Sequence, residues 1–162
     1  MTAEPNVAEG QVYEIDVPMF LPPQRKRRAG KPVNRSRPPQ PAPLNANWRL
    51  HWSKEHKLAQ EIATAVMLRA RSLRIPTCDH LTVQIHFAPG NNVKADADNL
   101  YPSFKRACDA LSRPKHTNWV GLHLVPDDTP QFMTKLEPVI HPGPEHERRL
   151  WLTVRVGRPG ES

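Results

Sequence analysis

The run Leu81-Thr82-Val83-Gln84-Ile85-His86-Phe87-Ala88 decides the architecture of this chain. Leu81, Val83, Ile85 and Phe87 point one way, and Thr82, Gln84, His86 and Ala88 the other. Unbroken alternation is the mark of a β-strand with one face buried. A half-buried strand needs a layer to cover it, and the flanking sequence supplies two helical patterns. Upstream, Ser53 reads as the N-cap of a helix running to about Ser72, with Leu58, Ile62, Ala65, Val66 and Leu73 at helical spacing and Ile75-Pro76 as its stop. Downstream, the turn PGNNVK leads to a second helix starting near Asp98, where Leu100, Phe104, Ala107, Cys108 and Leu111 form one apolar stripe. Pro102 falls in its first turn, where most backbone N–H groups have no intrahelical partner.

Three further extended segments complete the pattern: VYEIDV beginning at Val12, a strand from Phe132 to Ile140, and LWLTVRV from Leu150 to Val156. The order β, α, β, α, β, β predicts an α/β (α+β) fold. It is a single small domain over residues 1–162, with its core at about 12–156 and a tail at 157–162. A mixed β-sheet is covered by two helices, and a basic proline-rich segment, residues 22–43, is inserted after the first strand.

That segment explains the composition. The 162 residues carry 23 Lys plus Arg against 16 Asp plus Glu, a formal charge of +7. Residues 22–43 hold seven of the 19 prolines and seven cations (Arg25, Lys26, Arg27, Arg28, Lys31, Arg35 and Arg37) without one acid, so the remaining chain is formally neutral. With almost nothing apolar to bury, the segment reads as an arm or long loop. A like-charged arm of this kind tracks phosphates and confers salt-dependent affinity for nucleic acid; the alternatives are a solvated linker or an address signal. No run of about 18 apolar residues is present, which excludes a membrane-spanning helix on sequence grounds. The N-terminal residues lack the pattern of a secretory signal, and two cysteines make neither a disulfide framework nor a four-thiolate zinc site. A cytoplasmic protein is expected.

The chemistry concentrates in Lys94-Ala95-Asp96-Ala97-Asp98-Asn99-Leu100. In extended backbone, Asp96 and Asp98 would project to the same side, and two close carboxylates are relieved by a hard cation such as Mg²⁺. At a helix N-terminus one of them can instead cap the exposed N–H groups, and in isolation such a string is more often a cap and turn than a metal site. A second acidic pair, Asp127 and Asp128, sits in the proline-bounded turn VPDDTP, and on its own reads as a turn. Together with cations, carboxylates on loops are what a metal-dependent phosphodiesterase needs: metal neutralises the scissile phosphate and activates water, while Lys or Arg steadies developing charge. Lys94, Lys105 and Arg106 flank the first pair and are the candidates for that role, each with a solvated surface charge as the alternative.

Asp96-x-Asp98-Asn99-Leu100, then a helix reading Phe104-x-x-x-Cys108-Asp109-Ala110-Leu111, then Asp127-Asp128, resembles the RusA family of Holliday-junction resolvases. The Asn-rich aromatic segment Asn45-Ala46-Asn47-Trp48-Arg49-Leu50-His51-Trp52 before the first helix fits the same pattern, and the resemblance covers residues 12–156. It implies a homodimeric, Mg²⁺- or Mn²⁺-dependent endonuclease that cuts four-way DNA junctions by paired hydrolysis in recombination or repair, in a bacterial or phage setting. Asp96, Asp98 and Asp128 take the positions of the family's essential carboxylates, with Asp127 as a neighbouring ligand. The chain departs from the family where a Lys is usual four residues after the second Asp; here stands Pro102, and Lys105 is the nearest substitute. The loop Arg113 to Pro126 is also longer than the family's.

Arg25, Lys26, Arg27, Arg28, Arg49, Lys94 and Arg106 are the expected DNA contacts. Trp48 and Trp52 read equally as base-stacking and as packing residues. His116 and His123 lack a metal-binding pattern and read as surface residues, Cys108 as core, and Cys78 as a free thiol. Two alternatives stand beside the resolvase: a non-catalytic DNA- or RNA-binding protein acting through the basic arm, and a fork- or flap-directed nuclease using the same site.

Overall fold

The alternating run forms the central strand of a five-stranded sheet. The computed structural model describes residues 10–23 and 39–157, and its strands are β1 (Val12–Asp16), β2 (His80–Ala88), β3 (Met133–Lys135), β4 (Val139–Ile140) and β5 (Arg149–Gly157). Strand β2 pairs antiparallel with β5 along its whole length, and β5 pairs antiparallel with β1. On its other side β2 pairs in parallel with β3 and β4, so the sheet is mixed. Helices α1 (Trp52–Ser72) and α2 (Tyr101–Leu111) complete an α+β fold. Leu81, Val83, Ile85 and Phe87 share one core with Leu150, Leu152, Val154 and Val156 from β5 and Ile15 from β1, and with Ile62 and Val66 of α1 and Phe104, Ala107, Cys108 and Leu111 of α2. The apolar stripe on α2 is buried throughout, whereas on α1 Ala59, Ile62, Ala63, Val66 and Ala70 are buried, Leu58 is half-buried and Leu73 is exposed.

Local chemistry moves two boundaries. Helix α1 starts at Trp52, one residue before the expected cap, because His51 stays extended and its Nδ1 accepts from the Ser53 N–H. The segment expected as a helix from Asp98 first makes a 3₁₀ turn (Ala97–Leu100), and the α-helix follows at Tyr101. An α-helix begun at Asp98 would need an N–H at Pro102, which has none, so the chain tightens to i→i+3 bonding with the Tyr101 N–H on the Asp98 carbonyl.

The strand expected over Phe132 to Ile140 is two short strands. Val83 faces Lys135 and His86 faces Val139, so one extra residue lies on the edge side between these pairs. The bulge falls beside Pro138, which cannot donate to a ladder. Leu136 and Glu137 are thereby turned out to solvent, and the end of β3 becomes the wall of a cleft.

The ends of the proline-rich segment are joined: Phe20 and Ala42 exchange backbone hydrogen bonds of 2.7 and 2.6 Å. Arg25, Lys26, Arg27, Arg28, Lys31, Arg35 and Arg37 lie outside the described residues, as do residues 158–162. Among the described residues, no helix is long and apolar enough to cross a membrane.

Candidate active-site cleft

The first turns of α2 and the end of β3 line an open cleft of about 460 Å³ whose lining includes Tyr101, Pro102, Lys105, Lys135, Leu136 and Glu137. Tyr101 spans its rim, its hydroxyl donating to Glu137 Oε2 at 2.8 Å. That hydrogen bond pushes the Tyr101 pKa up, and burial and the charges of Glu137 and Asp98 act in the same direction. The backbone joins Asp98 to this rim, because the Tyr101 N–H donates to the Asp98 carbonyl.

The 3₁₀ turn positions the first acidic pair. Asp96 is extended and exposed, and its Oδ1 accepts from the Asp98 N–H at 3.1 Å. Asp98 has already entered the turn. The expected extended pair pointing to one side is thus not formed; the capping alternative holds for Asp96, because the turn's first N–H groups need an acceptor. Asn47 Nδ2 donates to Asn99 Oδ1 at 3.0 Å, and Ser103 Oγ donates to the Leu44 carbonyl, so the Asn-rich segment docks on this same turn. Arg49 is exposed in that segment, and Lys94 is exposed two residues before Asp96. Trp48 packs against the core, whereas Trp52 is 74% exposed.

The second acidic pair is drawn onto lysines. Asp128 is only 8% exposed. Lys115 Nζ donates to its Oδ1 at 2.9 Å and Lys135 Nζ to its Oδ2 at 2.8 Å. Burial works against the charge on Asp128, but the hydrogen bonds and charges of Lys135 and Lys115 outweigh it and hold the carboxyl well below the usual range. Lys115 answers in kind: its hydrogen bonds to Asp128 and Asp127 push its pKa up. Asp127 Oδ1 accepts from the Asp128 N–H at 2.8 Å and lies 3.1 Å from Lys115 Nζ, so it orients the pair from the outside.

Asp96, Asp98, Asp127 and Asp128 are hard oxygen donors of the kind Mg²⁺ prefers. Among the described residues, however, no three His, Cys, Asp or Glu side chains are gathered into a group that could hold a metal ion. The donor chemistry fits a divalent cation, while the third carboxylate is turned toward two ammonium groups.

Lys105 is exposed on α2, lines the cleft, and has no carboxylate within ion-pair reach among the described residues. Arg106 turns away from it, 3.6 Å from Asp109 and over the ring of Trp119. His116 and His123 are exposed; Cys108 is buried in the core, its pKa pushed up to about 12 by burial, and Cys78 is free. Lys115, Lys135, Tyr101 and Glu137 were not singled out by sequence reasoning. Only the isolated lysine in the short strand β3 carried a signal, since a charge beside Met133 in a paired strand wants a partner.

Compared with protein families and with curated proteins, the chain matches no family model and no curated sequence.

Proposed function

We propose that this chain is a metal-dependent endonuclease acting on branched DNA, in the manner of the RusA-type Holliday-junction resolvases that its motifs resemble. The observation that carries the reading is the cleft. Asp98 takes the backbone N–H of Tyr101, which lines it, Lys105 and Lys135 line it too, and Lys135 donates to Asp128.

In this reading Asp96, Asp98 and Asp128 are the residues that would hold Mg²⁺ or Mn²⁺, with Asp127 beside them. A divalent ion bound there would supply Lewis-acid activation of water and neutralisation of phosphate charge. Lys105, which lines the cleft and makes no ion pair among the described residues, steadies the charge that develops on the phosphate. Lys115 and Lys135 neutralise Asp128 in the free protein, and an arriving phosphate offers them another anionic partner, which frees the carboxylate. Arg49 and Lys94 lie beside the same turn and contact the DNA backbone, and the cationic residues 25–37 add salt-sensitive affinity. Two copies acting as a homodimer would place two equivalent sites on the two equivalent phosphates of a four-way junction.

One observation favours a second reading. A carboxylate held by two lysines is also a structural ion-pair cluster, and a non-catalytic DNA-binding protein needs nothing more. The experiment is nicking of four-way junctions, forks and flaps with Mg²⁺ or Mn²⁺, and mapping of the cut strands. Paired nicks on strands of like polarity are expected at the junction; preferential cutting of forks or flaps supports the alternative nuclease. Binding of all three without nicking supports the non-catalytic reading.

A further inference from the structure

The loop between α2 and β3 builds a second cleft, of about 200 Å³, lined by Lys105, Arg106, Arg113, Lys115, His116 and Trp119 among others. Its single acid is Asp109, and that carboxylate is engaged by Arg106. The loop is pinned at its base. Ser112 pairs with Val125, the Leu122 N–H donates to Ala110 at 2.8 Å, and Gly121 passes so close to the Ser112 carbonyl that a Cβ there would lie 2.5 Å away. At its tip the Trp119 backbone N–H donates to the His116 carbonyl, and the indole is half-buried, with the Arg106 guanidinium over the ring, 5.5 Å from its centroid, and His56 edge-on at 5.8 Å.

We propose that this cleft binds an unpaired segment of a DNA strand, with one base stacked at Trp119 and the adjoining phosphates on Arg113 and Lys115. An aromatic ring stacked with a guanidinium is a platform on which any base can extend the stack, and cations along the same groove track the backbone. A fully paired duplex keeps its bases stacked on one another and offers such a platform no face. Lys105 lines both clefts, and Lys115, which lines this one, is bonded to Asp128. The strand bound at Trp119 thus leads toward the acidic cluster. This inference rests on the DNA-directed part of the reading above and is independent of its catalytic part.

The test is fluorescence anisotropy of a labelled oligothymidylate and of a labelled duplex of equal length, in chelator so that no cutting occurs. Enough salt is added to suppress the long-range attraction of residues 25–37. Base–aromatic stacking corresponds to a loss of about ten-fold in oligothymidylate affinity for Trp119→Leu, with duplex affinity unchanged and Trp119→Phe close to wild type. Arg113→Ala, an exposed substitution with little bearing on folding, is the second variant and is also expected to weaken oligothymidylate binding. The proposal is overturned if wild type does not bind oligothymidylate, or if folded Trp119→Leu binds it as tightly as wild type. It is likewise overturned if Trp119→Leu cannot fold and Arg113→Ala is unchanged. Loss of binding in Trp119→Leu alongside a wild type that never nicks junctions would leave this inference standing and remove the nuclease reading.

Discussion

Lys135 Nζ lies 2.8 Å from Asp128 Oδ2, while the other oxygen of that carboxylate takes Lys115 at 2.9 Å. One nearly buried carboxylate is therefore charge-balanced from two sides, by a strand lysine and a loop lysine. The arrangement ties β3 and the loop after α2 to the turn that holds Asp128.

Asp128→Asn removes the charge that both ammonium groups face. Breaking such a partly buried cluster is expected to cost about 2 kcal/mol, or roughly 4–8 °C in Tm for a chain of this size. Thermal unfolding by circular dichroism at neutral pH measures it, and an unchanged Tm would contradict the pairing. Because the folded pKa of Asp128 lies below its ordinary value of 3.8, its contribution is complete above that value and is lost as the pH falls through the lower, folded-state pKa. The difference between wild type and Asp128→Asn should narrow only in strong acid.

Lys105 and Lys135 should separate by their phenotypes. Lys105 is exposed and makes no ion pair among the described residues, so Lys105→Ala should leave stability within about 0.5 kcal/mol of wild type. Its expected effect is a fall of about 10²–10³-fold in the single-turnover cutting rate, the usual loss for one donor aimed at developing charge. Lys135→Met should instead lower Tm, because it strips Asp128 of one partner. Equal rates for Lys105→Ala and wild type would remove Lys105 from the chemistry.

The central strand sets the stability of the whole sheet. Ile85 is fully buried and faces Leu152 across the antiparallel pair. Ile85→Ala is expected to cost about 3 kcal/mol, measured by urea denaturation with an unchanged m-value. A cost under about 1 kcal/mol would place this side chain outside the core.

His86 makes stability pH-dependent near neutrality. Its ring nitrogens meet His141 Nε2 at 3.1 Å and Thr153 Oγ1 at 3.0 Å, and Trp151 stacks on it. Burial, then the neighbouring charge of His141, lowers its pKa from the ordinary 6.5, and Glu14 opposes them weakly. A lowered folded pKa means the unfolded chain binds the proton first, so this contribution is present above pH 6.5 and declines as the pH falls through the folded value. Urea titrations across this range should show that decline in wild type and a shallower one in His86→Gln. Identical slopes would contradict it.

What was legible in the sequence depended on how local the cause was. The faces of residues 81–88 and of Leu100 to Leu111 are set by the repeat of a single element, and both are buried as read. The bulge between Lys135 and Val139 depends on register against β2, and only Pro138 hinted at it. The pairing of Asp128 with Lys115 and Lys135 joins three segments that approach only after folding, so the acidic pair read as a turn or a ligand and never as an ion-pair centre. The cap at Asp96 was legible as an alternative because its cause is local, whereas the 3₁₀ form of the turn it caps, ahead of Pro102, was not. The seven cations of residues 25–37 were legible as a charge block, and they lie outside the described residues.

The central claim is that the D-x-D turn and Asp128 serve one metal-dependent cut. The most direct measurement is nicking of a four-way junction in Mg²⁺ by wild type, Asp96→Asn and Asp98→Asn, with junction binding followed in the same samples. Wild type is expected to nick in a manner that disappears in chelator, and neither variant to nick, while both variants bind the junction at least as tightly. Junction binding by wild type without any nicking in Mg²⁺ or Mn²⁺, or undiminished nicking by Asp98→Asn, would contradict it.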